Sequence, residues 1–414
     1  MQKRIRKKRR KNPFKRFLIF CCAVGIIGTG TFFLYSKHLS AKNLETEAPL
    51  NLKEKPHHDN IKKIGKMRPN SAPANIVHDK DLDRYLKKVH FNGTAFIVKN
   101  GKVVINKGYG FANAKERIKN NPKTVYYIGS ITKPIVATAL MQLQQEGKIN
   151  VNDPLSKYLP SFPNASKIKI YNLLTHTSGI GKHLETKQKV STSALIKSIG
   201  LSSEYLKFQP GTQFDYNDAN YSILGYVIEK ISGEPLHEYI KQHIFKPAGI
   251  KDSGFGSQLK KEKYPSVGYK ELSGLAYNPI MPDFSQVFGC GDIYMTAEDL
   301  YKFDRALSTG KLLSPQSYRQ MMTPFKHYYG FGWYINRRGW YYKPVNYSNH
   351  GVLSGWNAMN GFQKDGSEYV VLLSNLQNNI KNLGLLNKTI YIKLSKPVLA
   401  NPAPGPVHKQ AVQN

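Results

Sequence analysis

Residues 127–145 read YIGSITKPIVATALMQLQQ, and this stretch decides how the rest of the chain is read. Thr124 to Ile128 has the β-branched and aromatic content of a strand. From Pro134 to Gln145 the residues Ile135, Val136, Ala137, Ala139, Leu140, Met141 and Leu143 are apolar nearly all round, which predicts a helix buried in mid-domain. Ser130 and Lys133 stand three apart at the handover, so both side chains lie on one face of the first turn. The free N–H groups of a helix N-terminus can hold an oxyanion there. The same field, with burial, disfavours an ammonium, so Lys133 is expected to be neutral and to take the serine proton. S-x-x-K occurs at Ser130, Ser166, Ser257 and Ser308, and only Ser130 has the strand, the glycine and the buried helix around it.

Working outward, Thr94 to Val98 and Val103 to Asn106 flank Asn100-Gly101, a strong hairpin signal. Ser222 to Ile231 reads as a helix, Tyr369 to Ser374 as a buried strand, and a C-terminal helix follows from about Ile380. Strands, then helices, then strands again predict an α+β fold in which helices cover an antiparallel sheet. Two further constellations carry chemistry. In PGTQFDYNDANYSILGYVIEKISG, Tyr216 and Asp218 occupy a turn before a helix, where the phenol can shuttle a proton. In SNHGVLSGWNA, Asn349, His350 and Gly351 lie on a glycine-containing strand that a substrate backbone can approach. Taken alone, Tyr216 is one of 26 tyrosines and His350 reads equally as a surface histidine.

The chain of 414 residues is 40% hydrophobic, which excludes collagen-like and disordered compositions over most of its length. Lys and Arg number 61 against 27 acids, a net charge of +34; removing the ten cations of residues 1–16 lowers it to +24. Such a surplus seeks a polyanion. Phe17 to Ser36 are twenty uncharged, mostly apolar residues directly after that basic run, a transmembrane segment that puts the remainder outside. A retained anchor and a cleaved signal peptide both fit. An exported chain meets wall polymers and anionic lipid rather than nucleic acid, so an anionic envelope polymer and the membrane are the expected partners. Residues 37–75 read as a linker, 76–395 as the globular domain and 396–414 as a flexible tail. With Cys21, Cys22 and a lone Cys290, no disulfide framework is possible. No metal site and no organic cofactor are implied, and oligomeric state is not legible.

IGSITKP, QLQQEGKINVNDPLSKYLPSF, LLTHTSGI, the Tyr216 segment, FKPAGIKDSGF and GCGDIYMTAEDLYKF resemble, in order and spacing, the serine hydrolases related to class C β-lactamases and low-molecular-weight penicillin-binding proteins. The likeness runs from Phe91 to Leu394. It implies an α/β/α sandwich: a five-stranded antiparallel sheet flanked by helices, with a helical subdomain over the site. It also implies that Ser130 is the nucleophile, Lys133 its lysine and Tyr216 the tyrosine of a Y-x-N motif in which Asp218 replaces asparagine. The third motif, usually Lys or His, then Thr or Ser, then Gly, falls on Asn349, His350 and Gly351.

Both departures change charge. A D-alanyl-D-alanine peptide or a β-lactam carries a carboxylate, and an unpaired like charge beside it costs on the order of one to several kcal/mol. A D-alanyl ester of teichoic acid has no free carboxylate and carries an ammonium. YNDANY and the Phe91–Gly110 opening also resemble the teichoic acid D-alanine hydrolases of this superfamily. The resemblance implies an acyl-enzyme on Ser130. Lys133 and Tyr216 would take the serine proton, N–H groups of Ser130 and the third-motif strand would hold the oxyanion, and Asp218 would orient Lys133 or receive the ammonium. A D,D-carboxypeptidase using the same serine, and a non-catalytic polymer-binding protein, remain the alternatives.

Overall fold

Asn100 and Gly101 have φ of 50° and 74°, the left-handed pair that closes a two-residue hairpin. The computed structural model describes residues 73–336, 346–380 and 383–395. Its main sheet contains β1 (Ile76–Val77), β2 (Gly93–Lys99), β3 (Lys102–Tyr109), β4 (Tyr334–Asn336), β5 (Asn346–Leu353), β6 (Trp356–Gln363) and β7 (Glu368–Ser374). They lie in the order β1-β3-β2-β7-β6-β5-β4, with every neighbouring pair antiparallel. The sheet therefore has seven strands rather than the five expected. The five long strands form its middle, and the two- and three-residue strands β1 and β4 add an edge on each side.

Alternation along the strands creates two cores. Phe96, Val98, Val371 and Leu373 face one side, where α4 (Ala297–Ser308) packs after α1 (Lys80–Lys88), α2 (Thr132–Gln145) and α3 (Ala219–Ser232) in chain order. Ala95, Ile97, Val370 and Leu372 face the other, covered by α1 and by α5 (Leu383–Ser395). This is the α/β/α layering, with α2 and α3 packed together among the helices. Every residue of α2 from Thr132 to Met141 is buried. At about 1.5–3 kcal/mol for each large apolar side chain removed from water, its position is firmly determined.

The strand before Ser130 is shorter than expected and belongs to a different sheet. The strand is only Tyr126–Tyr127, paired with Tyr294 and Met295 of the strand Ile293–Met295 and preceded by a single bridge from Val125 to Pro265, because Gly129 (φ 52°) then turns the chain into α2. Among the described residues no helix is long and apolar enough to cross a membrane. The expected segment Phe17 to Ser36, the basic residues before it, and the tail 396–414 lie outside the described residues.

Asp83 of α1 fastens that helix to the sheet. Lys107 and Lys87 lie 2.7 Å from its carboxylate, and the Tyr109 hydroxyl donates to it at 2.9 Å. Burial alone would push this carboxyl up, but the three donors outweigh it and hold its pKa at about 2, against 3.8 for an ordinary Asp. The folded value lies below the unfolded one, so the stabilisation is present above about pH 4 and fades as pH falls through 2. Asp83→Asn should cost about 2 kcal/mol at neutral pH. Urea titrations from pH 7 to 2 should show that deficit shrinking as the wild type loses its own share.

Candidate active site

The nucleophile turn exists because two glycines let backbone lie on backbone. A Cβ on Gly351 would stand 1.8 Å from the Ile128 carbonyl oxygen and 2.9 Å from the Ser130 nitrogen. A Cβ on Gly129 would stand 2.7 Å from the Val352 nitrogen and oxygen. Thus β5 rests directly on residues 128–130. Leu353 and Trp356 close the two-residue turn between β5 and β6, so the next pair, Val352 and Asn357, is a non-hydrogen-bonded one. The Val352 N–H therefore points away from β6, toward the Ser130 turn. Ser130 and Val352 are the two N–H groups placed to hold an oxyanion.

Lys133 is fully buried, and its Nζ has two hydrogen-bond acceptors and an ion-pair partner. Ser130 Oγ lies at 2.8 Å, the Cys290 carbonyl at 3.1 Å and Asp218 Oδ1 at 2.6 Å. Burial pulls the lysine pKa down, but the attraction of Asp218 exceeds it, so the ammonium is held above the ordinary lysine range. The expectation of a neutral Lys133 is thereby corrected: a carboxylate in contact outweighs both desolvation and the helix field. Cys290 is buried, its thiol pushed up chiefly by that burial, and its carbonyl rather than its sulfur serves the site.

Tyr216 places its ring 5.0 Å from Lys133 Nζ and packs at 4.2 Å on His176. His176 is buried within LLTHTSGI and accepts at Nδ1 from the Asn217 N–H at 3.2 Å and the Asn220 amide at 3.0 Å. Burial, with the Lys133 charge, keeps this imidazole neutral. Tyr329 meets the Tyr216 ring edge-on at 6.2 Å. The Asn217 amide holds the carbonyls of Ile180 and Gly181, so the segment between Tyr216 and Asp218 is anchored at its midpoint. Nearby Glu185 reaches solvent, yet crowding by the protein and the like charge of Asp218 push its carboxyl up, against the pull of Lys133.

The Asn349 amide is buried, donates to the Gly332 carbonyl, and accepts the His350 N–H at 2.8 Å. Its polar atoms are engaged within the protein. His350 is exposed, with Nε2 2.6 Å from Asn357 Oδ1. Ser130, Lys133, Tyr216 and Asp218 thus converge, Gly351 joins them through backbone contact, and Asn349 and His350 hydrogen-bond beside them. Sequence reading missed His176, Glu185 and Val352. His176 had a signal, since its motif was already among those that carry the resemblance; Glu185 had none. Among the described residues no cluster of His, Cys, Asp or Glu could hold a metal ion.

The Beta-lactamase family profile matches residues 78–392. The chain belongs to this family. A putative penicillin-binding protein, PbpX, of Bacillus subtilis (strain 168) is 46% identical over 353 residues, covering 85% of this chain and 87% of that one. A teichoic acid D-alanine hydrolase of Staphylococcus aureus (strain MRSA252) is 34% identical over 308 residues, covering 72% and 74%. The crystal structure of FmtA from Staphylococcus aureus superposes with a TM-score of 0.69 at 30% identity, covering 80% of this chain and 95% of that one. As a β-lactamase-family serine hydrolase, the chain should depend on the glycine contact behind its nucleophile. Gly351→Ala should slow labelling of Ser130 by a fluorophosphonate at least about 100-fold, the loss expected when oxyanion donors are displaced. Circular dichroism would check that the sheet persists, and labelling at the wild-type rate would refute the oxyanion assignment.

Proposed function

We propose that this chain is an extracytoplasmic serine esterase that removes D-alanyl groups from teichoic acid through an acyl-enzyme on Ser130. The observation that carries this reading is the charge of the cleft. Among the described residues its one buried cation, Lys133, is neutralised by Asp218 at 2.6 Å, while Glu185, without an ion pair there, adds a carboxylate. Asn349 stands where the family usually has a cation, and its amide is spent on Gly332 and His350. Such a cleft repels a substrate carboxylate and accepts an ammonium. A D-alanyl ester presents the ammonium and lacks the carboxylate. The relative named teichoic acid D-alanine hydrolase supports the same substrate class.

The contacts suggest a proton route. Ser130 Oγ, Lys133 Nζ and Asp218 Oδ1 follow one another at 2.8 and 2.6 Å. As Oγ attacks the D-alanyl carbonyl, Lys133 releases a proton to Asp218 and takes the serine proton. Lys133 then protonates the departing polymer hydroxyl, with the Tyr216 ring beside its charge. Water attacks the acyl-enzyme by the reverse route and frees D-alanine. In this reading the segment Phe17 to Ser36 holds the domain at the outer membrane face, and the +24 charge of the remainder draws the polyanion to it.

A D,D-carboxypeptidase is the second reading, favoured by the relative named putative penicillin-binding protein. Purified protein offered D-alanylated teichoic acid and a D-alanyl-D-alanine peptide in parallel should release D-alanine from the polymer and not from the peptide. Ser130→Ala should abolish release. N-acetylating the D-alanyl amine should lower kcat/KM at least about tenfold, a contribution of about 1.4 kcal/mol from a charged contact. Release from the peptide alone would establish the carboxypeptidase.

Asp218→Asn should lower kcat at least about 100-fold. Without the carboxylate, burial dominates at Lys133 and lowers its pKa, so a neutral amine appears as pH rises. Residual activity should therefore climb between pH 7 and 10, where the wild type keeps Lys133 charged. A variant profile parallel to that of the wild type would refute the Lys133–Asp218 route.

A further inference from the structure

Behind the turn that serves Lys133 lies a cavity of about 820 Å³ that contains none of Ser130, Lys133, Tyr216 or Asp218. The two sites share one wall, the turn Phe288–Asp292. On one side the Cys290 carbonyl accepts from Lys133. On the other, buried Asp292 lies 2.7 Å from His237 Nε2 and accepts the Gly289 N–H at 3.2 Å. The His237 ring lies flat on Phe255, 4.1 Å away, and is 37% exposed along the cavity.

Three lysines and five carboxylates line this wall, and the carboxylates are already paired or hydrogen-bonded. Lys241 is paired with Glu238 at 2.7 Å, and Lys189 faces Asp283. Glu262 accepts from the Tyr294 hydroxyl at 2.6 Å, and Glu229 accepts the Leu236 N–H at 3.0 Å. What remains is polar and uncommitted. Ser257, Gln258 and Lys261, exposed along the short helical segment Gly256–Lys261, have no side-chain partner among the described residues. The partly buried Phe284, packed against Gly256, supplies an apolar face.

A volume in the range of small-molecule sites, a surplus of carboxylate acceptors with lysine, serine and amide donors beside them, and an aromatic face suit a neutral ligand whose hydroxyls both donate and accept. A strong anion would meet the surplus carboxylates, and a strong cation would find each of them already engaged by a protein donor. We infer that this cavity is a second binding site, separate from the catalytic cleft, for a polyhydroxylated ligand, either a sugar or an open-chain polyol.

Ligand-observed NMR titrations of the full-length chain with N-acetylglucosamine and with ribitol would test this and separate the two sources. Saturable binding of at least one at millimolar concentration is expected. Gln258→Ala and Lys261→Ala, both at exposed positions, should each weaken it about fivefold, as for the loss of one hydrogen bond. Ser130→Ala should bind as the wild type does. No saturable binding of either probe, binding unchanged in both cavity variants, or binding lost in Ser130→Ala would each overturn the assignment. Because binding is read without turnover, it stands or falls apart from the esterase activity.

Discussion

A lysine with no exposed surface, held as a cation by a carboxylate at 2.6 Å, is the constraint around which this site is built. An unpaired buried ammonium costs several kcal/mol, and a partner with further acceptors offsets that cost. Asp218 supplies the charge, while Ser130 Oγ and the Cys290 carbonyl take the remaining protons. Three distant segments must meet for this to happen: the start of α2, the Tyr216–Asp218 turn and the Phe288–Asp292 turn. The packing of α3 on α2 and of β5 on the nucleophile turn brings about that meeting. Asp218 is only partly buried, its side chain 45% exposed, so one oxygen serves Lys133 while the carboxylate still edges the cleft.

The second constraint is steric. Gly129 and Gly351 are needed because a strand backbone and a turn backbone occupy adjacent space without room for a methyl group. That contact aims the Val352 N–H at the nucleophile, and it explains why the third motif keeps its glycine here although its first residue has changed. Asn349 is buried and hydrogen-bonded within the protein. By bonding the Gly332 carbonyl it ties β5 to a loop that itself presses on Pro134 of α2, next to the lysine.

Much of this was readable beforehand, for reasons particular to each residue. Asn100-Gly101 announces its hairpin locally, and the apolar circumference of residues 134–143 announces a buried helix. Ser130 stands out among four S-x-x-K matches because its neighbours form a strand-to-helix junction. The charge state of Lys133 was misread because helix field and burial are local features, whereas Asp218 lies 85 positions away in sequence and its distance is a tertiary fact. The edge strands β1 and β4 escaped notice since two or three residues carry no periodicity. Their pairing depends on β3 and β5 already being in place. His176 was hidden in plain view: its motif carried the resemblance, but only the packing shows its ring fixing Tyr216.

The surplus of basic residues and the acidic character of the cleft look contradictory until distance is considered. Exposed charges act over about one Debye length, near 8 Å in physiological salt, so an approaching polymer responds to the collective excess of +24 outside residues 1–16. Inside the cleft a ligand group instead meets Asp218, Glu185 and a lysine already neutralised. A polymer with an anionic backbone and cationic aminoacyl branches satisfies both fields at once, its phosphates toward the surface lysines and its ammonium toward the carboxylates. A peptide ending in a carboxylate would be drawn in by the first field and refused by the second. Selectivity on this reading comes from a change in the sign of the potential between the surface and the nucleophile, to which Asp218, Glu185 and the absence of a cation at Asn349 all contribute.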